Sequence, residues 1–222
     1  MKDFIKRINW KSVIVRVAIY AGTLILSELG IACYYACGLG TDPISVFVDG
    51  QHLMMKLSYG TISTINSAVL TILILIFERK HLGIGTILTV FIGGPFIDIF
   101  TNILQTAHPI DTTNVYIKVA ILVFGAIIFG LTTGACIGCE LGIGPFSLPP
   151  IWLADLTGID LKYTQMITDF MFLVIGWLLG GVVGIGTVVG VLSCGPILGV
   201  TLDWTNKLME KVGPMLYEKE AE

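Results

Sequence analysis

The chain has 222 residues, of which 55% are hydrophobic and only 13% charged, with a formal net charge of −3 and a mean hydropathy of +0.87. A soluble domain carries about 25% charged residues, so this composition excludes an ordinary soluble fold. The small net charge and the lack of a basic cluster give nucleic acid nothing to bind. The 26 glycines fit membrane helices, which use more glycine than soluble ones.

The N-terminus, Met1 to Arg7, is charged like the start of a signal peptide. The apolar run that follows, Val13 to Gly38, is too long for one and has no small-residue cleavage site before the next charged stretch. It reads as a retained first span. A bilayer-crossing helix needs about 20 mostly apolar residues. Six segments qualify: 12–36, 60–78, 84–104, 116–137, 163–181 and 185–206. Two shorter stretches, 43–57 and 145–157, are re-entrant or interfacial by length.

With six spans and a cytoplasmic N-terminus, eleven of the thirteen Lys and Arg residues fall on the cytoplasmic side. Only Lys56 and Lys118 fall outside. The positive-inside rule then places both termini in the cytoplasm. The loop with Gln105, His108, Pro109 and Asp111 lies outside and has no basic residue.

Internal repetition is the main organisational signal. Cys37-Gly38-Leu39-Gly40-Thr41-Asp42-Pro43-Ile44-Ser45 recurs 102 residues later as Cys139-Glu140-Leu141-Gly142-Ile143-Gly144-Pro145-Phe146-Ser147. Gly83-Ile84-Gly85-Thr86 recurs as Gly184-Ile185-Gly186-Thr187, and Gly94-Pro95 as Gly195-Pro196, both at a spacing of 101. Each half reads as span, Gly-rich turn, short helix, span, span. Three crossings per half force the second half to sit inverted. The expected fold is therefore an all-α polytopic membrane bundle, six spans as a 3+3 inverted repeat with one short non-spanning helix per half. Its parts are a cytoplasmic N-terminus at 1–11, repeats at 12–108 and 109–208, and a cytoplasmic tail at 209–222. Inverted repeats are common in secondary transporters, whose sites lie near the midplane between the halves. The plainer reading of the duplication is a symmetric helix bundle with no transport role.

The turns have a local logic. Gly40 permits positive φ, Asp42 or Thr41 can cap a helix, and Pro43 suits its first position, ahead of Ser45. Gly142, Pro145 and Ser147 repeat the design without a carboxylate. The helix starts could hold an anion, or be ordinary capped turns. Along the first short helix, Ser45, Asp49, His52 and Lys56 fall on one face at helical spacing. That stripe reads as a wet face at the outer interface. Pro149-Pro150 reads as an interruption of the second short segment.

Polar residues inside spans are costly and are the candidate solute or ion pathway. They are Glu28, Asn66, Asp98, Thr168 and Asp169. The assigned orientation puts Glu28, Asn66 and Asp98 in the outer half of the membrane and Asp169 in the inner half. The alternative is a local hydrogen bond to a neighbouring helix. Cys136 and Cys139, like Cys33 and Cys37, are closely spaced, but the inverted topology separates the pairs, and no metal or other cofactor is expected. Gly130, Gly134 and Gly138, and Gly176, Gly180 and Gly184, recur every four residues, a spacing for close helix packing. No nucleophile and base stand at motif-like spacing, so no enzyme is expected.

Gly38-Leu39-Gly40, Pro43, Ser45, Tyr59-Gly60-Thr61, Gly83-Ile84-Gly85-Thr86 and Gly94-Pro95-Phe96-Ile97-Asp98 together resemble the bacterial YczE/YyaS/YitT-type integral membrane proteins over nearly the whole chain. The resemblance implies a small multi-span inner-membrane protein and brings no catalytic or ligand residues with it. Asp42 and Asp98 have no carboxylate at the matching positions Gly144 and Gly199, so a site would be asymmetric.

The leading expectation is a small transporter or permease for an unidentified small solute, with its site between the repeats. Two other readings are carried: a substrate-capturing subunit of an ATP-driven importer, and a non-transporting membrane scaffold. The expected partners are the lipid bilayer, the solute and, through the glycine stripes, a second copy in a homodimer.

Overall fold

A computed structural model describes residues 9–77, 82–107 and 114–215, apart from the side chains at 192–196 and 198. The expected terminal segments at 1–8 and beyond 215, the connections at 78–81 and 108–113, and the side chain of Cys194 lie outside the described residues.

The described residues form helices and no strands. In chain order these are α1 (Trp10–Cys37), α2 (Pro43–Met55), α3 (Tyr59–Phe77), α4 (Ile84–Thr106), α5 (Val115–Gly138), α6 (Leu148–Thr157), α7 (Leu161–Leu178) and α8 (Ile185–Val212). A single 3₁₀ turn, Pro145–Ser147, leads into α6. Among the described residues, α1, α3, α4 and α5 are long and apolar enough to cross a membrane. The chain is thus a polytopic helical membrane protein. α7 has 18 residues and α8 has 28.

Helix ends follow from local chemistry. Asn9 caps α1 by accepting from Ser12 N, and Gly38 ends it in the left-handed region at φ 61°. Asp42 caps α2 through Ser45 N, with Pro43 at its first position. Pro149 and Pro150 do not interrupt the second short helix. They fall in the first turn of α6, where a missing N–H costs nothing because it has no helical partner. Inside α4 a π turn at Thr89–Gly93 immediately precedes Gly94-Pro95. Pro95 cannot donate to the carbonyl four residues back, and the ladder slips by one.

Side-chain and backbone contacts fix the helix directions. α1 and α5 are antiparallel: Cys37 Sγ meets Lys118 O at 3.2 Å, Thr23 Oγ1 meets Cys136 Sγ at 3.2 Å, and Arg16 Nη1 donates to Cys139 O at 3.1 Å. α1 and α4 run parallel, joined by Tyr20 OH to Thr89 Oγ1 (2.8 Å) and by Gln105 Nε2 to Tyr35 O (3.3 Å). α5 and α8 are also parallel, with Gly130 against Ile197 and Gly138 against Thr205. Gly30 and Gly125 let the α1 and α5 backbones touch. The glycine stripes of the sequence thus serve packing within the chain.

The two Gly-rich turns occupy opposite ends of the bundle, and each is seated on the start of a helix from the other half. Gly186 N donates to Leu39 O at 2.9 Å, and Gly85 N donates to Leu141 O at 2.8 Å. In both places a Gly-x-Gly-Thr motif opens the receiving helix. Thr187 Oγ1 accepts from Gly184 N and Thr86 Oγ1 accepts from Gly83 N, each at 3.3 Å. Thr86 also donates to Ile143 O at 2.7 Å. α2 lies on α7, with Gly50 against Gly176, and the Pro145–Ser147 turn lies on α3, while α6 itself packs on α7.

The surface is apolar and the interior is where polarity collects. Phe91, Leu178, Phe170 and Trp204 are exposed, whereas Ser12, Arg16, Ser27, Glu28 and Thr164 are buried. Lipid is the solvent that this pattern suits.

Gly40 has φ 95°, and a methyl group there would strike the Gly184 backbone. Gly40→Ala is expected to lower the thermal unfolding midpoint in detergent strongly. Gly22, a helical glycine with nothing nearby, should gain up to about 1 kcal/mol as Ala. Equal midpoints for the two variants would refute the seating of the turn.

Candidate functional site

The polar residues gather toward the end of the bundle that carries the Gly40 turn. Asp98 on α4 receives Gly60 N at 2.7 Å and Ser58 Oγ at 2.6 Å. It therefore caps the start of α3. Asn66 on α3 pairs with Gln51 on α2, with Nδ2 donating to Gln51 Oε1 at 2.6 Å. Thr168 turns its hydroxyl back on its own helix, donating to Thr164 O and Gln165 O at 3.0 Å. Asp169 accepts from Gln165 Nε2 at 2.8 Å. It also lies within charge–charge range of Asp42.

Asp49 is the residue that sequence reasoning misplaced. Ser45 and Asp49 are buried, while Leu53, Met54 and Met55 are exposed. The first half of the stripe expected to be wet, Ser45 and Asp49, faces protein with Val46 and Val48 buried beside it, whereas the end of the helix, with Lys56, is exposed. The reason is a backbone demand. α7 ends at Leu178 and α8 begins at Ile185, and Val182 N in that break donates to Asp49 Oδ2 at 2.8 Å. Tyr59 OH donates to Asp49 Oδ1 at 3.1 Å. Stacked rings complete the contact, with Tyr59 lying 4.0 Å from both Tyr35 and His52. The four-residue spacing gave the common face correctly but could not say what that face meets.

Beside this stack is a polar cavity of about 410 Å³ lined by His52, Ser58, Tyr59, Asp98, Thr101, Asn102, Gln105 and Thr106. Acceptors, amides and one carboxylate are concentrated there. A second cavity, of about 480 Å³, opens at the opposite end around Arg16, Glu140, Asn206, Met209 and Glu210. Arg16 is buried and holds three chain segments together through Cys139 O (3.1 Å), Glu140 Oε2 (3.1 Å) and Gly213 O (3.4 Å).

The turn residues play different parts. Gly40 and Gly142, at φ 95° and 106°, allow close approach of the other half. Pro43 and Pro145 start helices. Ser45 supplies the N–H that Asp42 holds, and Ser147 N bonds Gly144 O at 2.9 Å. Cys33, Cys37, Cys136 and Cys139 are free thiols, and Cys37 and Cys139 lie at opposite ends of the bundle.

Asp49→Ala removes two acceptors from a buried site and should cost about 2–3 kcal/mol. Asp98→Ala loses a cap, at about 1 kcal/mol. Unfolding in detergent compares both with the exposed Asp203→Ala. An Asp49→Ala effect no larger than the Asp203→Ala effect would contradict the assigned contacts.

A family model described as "Family of unknown function (DUF6198)" matches residues 14–203. An uncharacterized protein of Haemophilus influenzae is 25% identical over 95% of this chain and 92% of its own length. The uncharacterized protein YyaS of Bacillus subtilis is 27% identical over 81% of this chain and 88% of its own. The uncharacterized membrane protein YczE, also of B. subtilis, is 24% identical over 90% and 91%. No solved structure matches the chain. With a match over most of its length, the chain belongs to the DUF6198 family and is similar to YyaS- and YczE-type proteins.

Proposed function

We propose that the chain is a small membrane transporter or permease for a small polar solute, working between two inverted three-span repeats. On this reading α7 and α8 complete six crossings. The repeats then occupy 12–108 and 109–208. The observation that carries the reading is the reciprocal seating of the Gly-rich turns, Leu39 O on Gly186 N and Leu141 O on Gly85 N. A motif that recurs at 101–102 residues makes the same contact twice, at opposite ends and with the halves exchanged. Antiparallel α1 and α5 are the first helices of the two halves and fit the same inversion. Architectures of this kind move solutes by rocking one repeat against the other.

The polar cavities at the two ends supply the two faces of such a cycle. The cavity around Asp98 would open outward, and the one around Arg16 inward. This orientation follows the bias of eleven basic residues against two and puts both termini in the cytoplasm. A bacterial inner membrane is supported by the bacterial relatives.

Asn102 and Asn206 are exposed residues lining the two cavities. As cysteines they should react with a membrane-impermeant thiol reagent from opposite sides of the membrane, above the background of the native thiols. Occupying Asn102→Cys with a bulky label should change the labelling rate of Asn206→Cys several-fold. A rate that is the same with and without the outer label would sink the transport reading in favour of a rigid scaffold.

A further inference from the structure

The packing leaves two buried carboxylates without a full set of partners. Glu28 is 6% exposed, and its Oε2 has no hydrogen-bond partner. Its Oε1 faces Gly93, where an added methyl would come within 3.1 Å. Gly93 closes the π turn of α4, and π turns recur at functional sites. Asp42 is 9% exposed. One of its oxygens caps α2, and the other, Oδ1, has no hydrogen-bond partner among the described residues.

Asp42 is the acid whose charge acts on Glu28. The other titratable groups coupled to Glu28 are Tyr20 on its own helix and Cys136 on α5. Tyr35 and Asp169 are coupled to Asp42. None of these brings positive charge. No hydrogen bond or ion pair joins either orphan oxygen to a basic group among the described residues. A buried carboxylate without a counter-charge is among the costliest groups a fold can hold, and two together are worse. A bound cation would relieve both.

A metal ion demands several ligands at once, and no group of three or more His, Cys, Asp or Glu able to hold one occurs among the described residues. A proton needs neither a cavity nor a coordination shell. The geometry points to a buried proton-binding site at Glu28, which holds one exchangeable proton where α1 meets the π turn of α4. This site goes beyond the transport reading and stands whether or not a solute moves. Binding is a simple exchange: a carboxylate oxygen takes a proton from water and returns it, with no bond to carbon changed.

The test is an infrared pH titration of the purified full chain in lipid nanodiscs. The expected result is a protonated-carboxyl C=O band that titrates with pH, vanishes in Glu28→Gln and persists in the exposed control Asp203→Asn. Asp42→Asn keeps the cap on α2, since an asparagine oxygen still accepts from Ser45 N, and should shift the midpoint of that titration. An undiminished band in Glu28→Gln, or an unmoved midpoint in Asp42→Asn, overturns the proposal. So does loss of the wild-type band when sodium replaces potassium at fixed pH, because the occupant is then a metal cation. If Glu28→Gln fails to fold, the Asp42→Asn midpoint decides by itself.

Discussion

Everything in this bundle depends on pairing the loose backbone groups where helices stop and start. A helix leaves its last carbonyls and its first N–H groups without partners, and a bilayer offers no water to satisfy them. Here carbonyls of the turns that follow α1 and α5, Leu39 O and Leu141 O, meet N–H groups in the first turns of α8 and α4. The contact is backbone to backbone, so it tolerates nothing larger than glycine at Gly40, Gly142, Gly83 or Gly184. The halves are therefore held by each other's ends, and neither half satisfies its own turn.

This crossed arrangement sets where polar chemistry can sit. Because α2 is pressed onto α7, Asp49 meets Val182 N and Tyr59 OH and becomes a fastener. Asp98 caps α3 and lines a cavity at the same time. Glu28 differs from both, because the contact that buries it against Gly93 gives its Oε2 nothing to bond. Structural acids with full partners and an acid with an orphan oxygen thus lie side by side. The geometry, and not the residue type, separates their roles.

The fold was legible in sequence to the extent that it is written in local patterns. Long apolar runs gave the membrane class, and the Gly-x-Gly-Thr and Gly-Pro matches gave the duplication. Helix caps at Asp42 and Pro43 followed from known preferences. Patterns of spacing failed where direction was at issue. Ser45, Asp49, His52 and Lys56 do share a helical stripe, but a stripe of polar residues looks alike whether it faces water or a buried N–H. Pro149-Pro150 looked like a break only because the true start of α6, at Leu148, is set by the preceding 3₁₀ turn.

The sequence by itself determined that this is a helical membrane protein with a repeated turn motif, because hydropathy and glycine placement act over a few residues at a time. Only the tertiary structure decided which half each turn serves, since Leu39 O and Gly186 N are far apart in the chain and their bond depends on how whole helices pack. That packing also decided which acids are satisfied. Asp49 and Asp98 take their partners from other parts of the chain, and in lipid such partners are all that a carboxylate has.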